Sequence, residues 1–289
     1  MRSGRELASG VREPAVGGST PAAGDAFIAH NLPFETYLQR GDVSKSTLWT
    51  LYTKSPAHAL IEKEPSPAMQ LGSAVHCAVL EPDTFDERFV RGPDDRRGVR
   101  WKEALDEHGA KLLTSGDYDD ALRIRDALQR DPLVRRLTTG DVWREVSGFW
   151  RDPETGLVVR CRPDAYRPSL RLMADVKTTT DARATTWRKR VAEFGYHAQE
   201  ALYTDGWRAC GMEVDAFVFI AVETSAPYAH CVFDLAPAAV DEGRAAMREA
   251  LQTFAQCKAA NRWPAYPSEP QSLDIPSWAY RLTTPTAVS

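Results

Sequence analysis

Apolar residues first recur at helical spacing from Ser44, where Leu48, Leu51 and Tyr52 share a face until Ser55-Pro56 interrupts it; Ser44 or Ser46 supplies a cap. A second helix is predicted over 67–80, with Leu71, Val75, Ala78 and Val79 on its apolar face and Glu81-Pro82 at its end. Gly72 and His76 lie four apart and share one side of it. The basic, Gly-Pro-broken stretch 88–102 reads as a mobile loop. A third helix is predicted over 115–130, capped by Ser115.

Beyond Asp131-Pro132 the period falls from near 3.6 to 2, which marks strands. Three are predicted, over 143–150, 157–166 and 172–178, joined by turn-like Asp152-Pro153-Glu154-Thr155-Gly156 and Arg167-Pro168-Ser169. Helices over 184–194 and 197–210, strands over 216–223 and 229–234, and a long helix over 237–261 complete the order. Helices, meander, helices, strands and a final helix define an α+β fold with a central mixed β-sheet flanked by helices. Residues 1–25 carry too few large apolar groups to repay ordering and are expected as a flexible tail, with 26–289 as a single domain.

Charge and cysteine usage narrow the classes. Thirty-six basic against 40 acidic residues give a net charge of -4, which argues mildly against nucleic acid unless the basic groups line a channel. The five cysteines are odd in number, lack any C-x-x-C pair and are expected as reduced thiols. With no secretory signal and no long apolar run, a cytoplasmic protein without a membrane span is expected. Gly-rich phosphate loops, G-x-S-x-G and H-E-x-x-H are absent.

The candidate chemistry sits on the third predicted strand. Asp175 and Lys177 project from one face of it, and a hairpin through Arg167-Pro168-Ser169 brings Asp164 within reach of Asp175. Two converging carboxylates repel unless one binds a proton or both bind a cation, and hard oxygen ligands favour Mg²⁺ or Mn²⁺. Read alone, Asp175 and Lys177 are equally a strand-edge ion pair.

Arg162-Pro163-Asp164, Asp175-Val176-Lys177 and Gln199 with Tyr203 at helical spacing together resemble the PD-(D/E)xK nuclease superfamily, in its RecB-like branch. The stretches SKSTLW, LGSAVHCAVLEPDTF, REVSGFWRDPETGLVVRCRPDAY, ADVKTT, FGYHAQEALYTDGW and WPAYP with IPSW are similar to RecE-type exonucleases, the exodeoxyribonuclease VIII family, from Ser44 to Trp278. The resemblance implies a restriction-endonuclease-like core. It also implies that Asp164, Asp175, the Val176 carbonyl and His76 ligate Mg²⁺, or Mn²⁺ in its place, with Glu145 approaching through water. Lys177 is expected to orient the attacking water, and Gln199 and Tyr203 to organise the site and touch DNA.

Arg96, Arg97 and Arg100 in the basic stretch, and Arg188, Lys189 and Arg190 after the motif, are the expected DNA contacts. The family further implies digestion of linear double-stranded DNA from its ends, 5′ to 3′, leaving 3′ overhangs for recombination. Its members resemble ring-shaped homo-oligomers, trimers or tetramers, that serve a single-strand annealing recombinase. The dispersed cysteines match no iron–sulfur motif, so none is expected. A non-processive nuclease acting on single-stranded or branched DNA, a catalytically silent DNA-binding protein, and a small-molecule hydrolase using the same metal site are the rival readings.

Overall fold

The computed structural model describes residues 26–62, 64–277 and 280; the expected tail at 1–25 and Trp278 lie outside them. In chain order the strands are β1 (Phe27–Ala29), β2 (Val43–Ser44), β3 (Val90–Arg91), β4 (Leu112–Leu113), β5 (Trp143–Arg144) and β6 (Ser147–Arg151). They continue with β7 (Val158–Cys161), β8 (Ala165–Arg167), β9 (Leu172–Thr179), β10 (Ala216–Glu223) and β11 (His230–Phe233). The helices are α1 (Phe34–Gln39), α2 (Lys45–Thr53), α3 (Pro56–Ala59), α4 (Pro67–Leu80), α5 (Phe85–Arg88) and α6 (Gly98–His108). After them come α7 (Ser115–Arg130), α8 (Pro132–Thr138), α9 (Ala184–Phe194), α10 (Tyr196–Ala209) and α11 (Pro237–Ala260).

The main sheet has the order β11-β10-β9-β8-β5 and is mixed, because β10 runs parallel to β9 while the other neighbours are antiparallel. A parallel pair needs a crossover, and α9 with α10 supplies it. The alternation along β9 sends its residues to two cores. Ala174 and Val176 pack with Ala74, Val75 and Ala78 of α4 and Ile124 and Leu128 of α7. Met173 belongs to the opposite core, with Leu48 of α2, Leu202 of α10 and Met247 of α11. Asp175 and Lys177 therefore stand on the α10 side of the sheet.

Two strands predicted as continuous are each divided between sheets. The stretch 143–150 becomes β5 and β6, and 157–166 becomes β7 and β8, with β6 and β7 in a second sheet of order β1-β6-β7-β2. The hairpin is nonetheless one ribbon in one register, since Arg144 opposes Ala165 and Gly148 opposes Cys161. It bends where Glu145 takes a left-handed backbone, φ 51°, opposite Arg162-Pro163-Asp164; the proline can donate nothing to a ladder. The Glu145 N–H still donates to the Asp164 carbonyl, at 3.1 Å.

Two further expectations change. The stretch 88–102 is not a loop throughout, because it holds β3 and then α6, which buried Trp101 anchors. The cap of α7 is Thr114 rather than Ser115; its hydroxyl accepts from the Asp117 N–H. Ser44 caps α2 as expected.

Helices α10 and α11 approach closely enough that a methyl group on Gly243 would lie 2.5 Å from the His197 carbonyl group. Backbone cannot yield as a side chain can, so Gly243→Ala is expected to destabilise the protein by about 1–3 kcal/mol. Urea unfolding of the variant measures it, and an unchanged midpoint would contradict the packing described.

Candidate active site

The β8–β9 ladder ends at Ala165 opposite Ala174, and the next residue on each strand is an acid. Asp164, 6% exposed, continues the ladder with its side chain: the Val176 N–H donates to its Oδ2 at 2.7 Å. On α4, the His76 ring reaches both strands. Its Nε2 donates to the Val176 carbonyl at 2.6 Å, and its Nδ1 lies 3.4 Å from Asp164 Oδ1. Burial disfavours the charged ring, but the Asp164 carboxylate outweighs it and lifts the imidazole to about 9. Asp164 answers in kind: burial pushes its carboxyl up, the His76 charge and hydrogen bond pull it down, and the net result is below the ordinary carboxylate value.

Asp175, 1% exposed, is held from the other side. Gln199 Nε2 donates to its Oδ1, and the Lys177 ammonium pairs with its Oδ2. Burial, then the neighbouring Asp164 charge, raises Asp175 above its usual range, whereas Lys177 is raised by the two carboxylates against the effect of burial. Lys177 also lies 5.2 Å from the centre of the Tyr196 ring, which favours a cation there. Tyr203, one helical turn beyond Gln199, is kept protonated by burial, which pushes its hydroxyl well above the ordinary value.

Among the described residues, His76, Glu145 and Asp164 are placed so that they could hold a metal ion, with one ligand atom from each within 4.8 Å of the others. Glu145 enters this trio through its left-handed backbone at the ribbon's bend. Asp175 is outside the trio, and the Val176 carbonyl, expected as a ligand, is engaged by His76. The donor set of one imidazole and two carboxylates suits a divalent cation. Burial and the Asp164 charge push the Glu145 carboxyl up to about 7, a strain that a cation between the acids relieves.

The trio and Tyr203 line a groove of about 940 Å³. Arg88, Lys111, Arg144 and Arg162 line it too, together with Phe34 and Tyr37. None of the six basic residues singled out from the sequence does so. Arg96 is tied to Gln70 and Asp117, Arg190 to Glu193, Arg97 and Arg100 are exposed at the start of α6, and Arg188 and Lys189 are exposed on α9. Arg144 and Arg162 flank Glu145 and Asp164 in the chain, so their adjacency to the acids was the available signal. Arg162 is fixed by Ser147 Oγ and the Leu32 carbonyl, over the rings of Tyr37 and Phe34.

A mixed sheet flanked by helices, an acid following a proline and an Asp-x-Lys on the adjoining strand make up the PD-(D/E)xK fold. Residues 49–274 match the family described as PDDEXK-like domain of unknown function (DUF3799), and the chain belongs to that family. A crystal structure from Eubacterium rectale, named "Putative exonuclease", is similar with a TM-score of 0.55 at 17% identity, covering 84% of this chain and 97% of that one. A phage related exonuclease from Haemophilus somnus gives a TM-score of 0.33 at 14% identity over 78% of this chain and 98% of its own. No curated protein matches the sequence. Among the described residues no helix is long and apolar enough to cross a membrane.

The raised Glu145 carboxyl has a measurable signature. An acid whose pKa rises on folding adds stability below its unfolded value, here 4.5, and loses that contribution as pH climbs to about 7. In EDTA, urea stability is expected to fall across this window and Glu145→Gln to flatten the fall. Mg²⁺ or Mn²⁺ should raise the Tm more at pH 8 than at pH 5; a slope unaltered by Glu145→Gln contradicts the assignment.

Proposed function

We propose that this protein is a divalent-metal-dependent deoxyribonuclease of the RecE type, an exonuclease that digests linear duplex DNA 5′ to 3′ and leaves 3′ overhangs. The observation that carries the reading is the convergence of buried Asp164 with half-buried His76 and Glu145 on one groove, with the Lys177–Asp175 pair on the neighbouring strand. Side chains that hold like charges together in a buried place are costly unless they serve a cation. His76, Glu145 and Asp164 would hold Mg²⁺ or Mn²⁺, with Asp175 closing the site from β9. The bound ion supplies Lewis acidity toward the phosphate and a more acidic water.

The chain's own groups account for the rest. In hydrolysis a water oxygen bonds to phosphorus, the bond to the leaving sugar oxygen breaks, and that oxygen gains a proton. Lys177, held as an ammonium by Asp175, places a fixed positive charge where negative charge builds on the phosphate. Gln199 keeps Asp175 from rotating away from that task. The protonated Tyr203 hydroxyl remains a hydrogen-bond donor facing the groove. Arg88, Lys111, Arg144 and Arg162 are suited to the flanking phosphates. A homo-oligomeric ring and an annealing recombinase as partner belong to the same proposal, with the activity carried by residues 26–289 as one domain.

End-labelled linear duplex, with the label at the 5′ or the 3′ end, is incubated with Mg²⁺ beside closed circular duplex and an EDTA control. Release of 5′ label first from linear DNA, an intact circle and silence in EDTA are expected; nicking of the circle would replace the exonuclease by an endonuclease. Lys177→Met is expected to lower the rate about 10²–10³-fold, the loss of one fixed charge at the transition state. Asp164→Asn, which retains an acceptor for the Val176 N–H, is expected to abolish cleavage while circular dichroism stays unchanged. Wild-type turnover by Asp164→Asn would falsify the site.

A further inference from the structure

Helices α9 and α10 meet at one residue, Gly195, which ends the first with a left-handed backbone, φ 64°, and begins the second. The last turn of α9 holds no basic side chain, so the carbonyl groups left open at its end draw their partners from elsewhere. Those partners come from α2, 144 and 149 residues earlier in the chain. Trp49 Nε1 donates to the Glu193 carbonyl at 3.2 Å, and the Lys45 ammonium donates to the Phe194 carbonyl. The two side chains lie four apart on one face of α2, while Leu48 and Leu51 root that helix in the core. The Trp49 ring also presses on Gly195 itself, where a methyl group would overlap the indole.

The corner is the root of the part of α10 that serves the site. Tyr196 follows it directly, and its ring stacks on Trp187 at 5.3 Å and on Phe219 at 5.6 Å, with Lys177 Nζ 5.2 Å from its centre. The Lys45 ammonium lies 5.9 Å from the centre of the same ring. One turn on, the Gln199 N–H donates to the Gly195 carbonyl at 2.9 Å, and the Gln199 side chain holds Asp175. Between them His197 meets the Trp49 ring edge-on, centroids 5.4 Å apart. A shift of the corner therefore moves together the two groups that hold Lys177 and Asp175.

Neither Lys45 nor Trp49 lines the groove. We infer that both are positioning residues: they clasp the α9–α10 corner, and through Tyr196 and Gln199 they set the direction of the Lys177 ammonium relative to Asp175. The inference rests on the nuclease reading and adds to it two residues of α2 that govern turnover from outside the groove. An error of about 1 Å in the placing of a group at the reacting centre costs up to about 10²-fold in rate, so a remote clasp has this much to control.

Steady-state cleavage of end-labelled linear duplex with Mg²⁺ gives kcat and KM for the full chain. Trp49→Leu is expected to lower kcat about tenfold and the gentler Lys45→Met about threefold, with KM for DNA little changed. Lys45→Arg, which still donates to a carbonyl, should recover most of the loss. In a Lys177→Met background the same substitutions should cost nothing further, since they act through that ammonium. A clasp that only stabilises the fold lowers the urea midpoint instead, and any loss of rate is then equal in both backgrounds. A second readout needs no activity. In protein labelled with ¹³C at lysine Cε, the Tyr196 ring displaces the Lys177 signal, which is identified by its disappearance in Lys177→Met. Both α2 variants should move that signal towards the position of a lysine in water. A signal unmoved in both variants, unchanged kcat in both, or equal losses in the two backgrounds overturns the clasp; cleavage by wild type then keeps the nuclease. A moved signal in a protein that cleaves no DNA keeps the clasp on Lys177 and removes the nuclease.

Discussion

A single hydrogen bond, from the Val176 N–H to Asp164 Oδ2, fixes the geometry on which the rest of the site relies. The β8–β9 ladder has run out at Ala165, and Pro163 cannot extend it. A carboxylate takes over the role of a strand carbonyl and is thereby locked beside Asp175. His76 then bridges the two strands from α4, and its charge compensates the acid that receives it. Without that bridge, a buried carboxylate at the end of a sheet would be drawn toward protonation.

The charges here are therefore divided rather than merely gathered. Asp164 is drawn down by His76 while Asp175 is pushed up by burial and by Asp164, so neighbouring carboxyl groups acquire different characters from their settings. Glu145, beside Asp164, is held toward its protonated form by burial and by that neighbouring charge. Lys177 offsets part of the Asp164 and Asp175 charge from the α10 side, where Gln199 and Tyr196 hold the pair in place.

Much of this was legible in the amino-acid order, for identifiable reasons. The helix 67–80 and the strand 216–223 match α4 and β10 because proline, capping and turn residues punctuate them and one period holds throughout. The convergence of Asp164 on Asp175 followed from the short turn between their strands. What escaped was long-range. Both stretches read as single strands, and Pro163 alone interrupts them without saying that the ribbon passes from one sheet to another there. The basic residues were sought where they cluster in sequence, whereas Lys111, Arg144 and Arg162 come to the groove singly from separate elements. Periodicity reports the face of an element and is silent on which distant element shares a cavity with it.

The bend also divides the hairpin into regions with unequal freedom. Because Glu145 and Asp164 oppose each other across one continuous register, a residue added between them and the tip on a single arm would slip one acid past the other and exchange inward for outward side chains. Extra residues at the Asp152–Gly156 tip would leave that opposition intact. Relatives of this chain should accordingly vary in length at the crest of the hairpin and stay invariant in length at its waist.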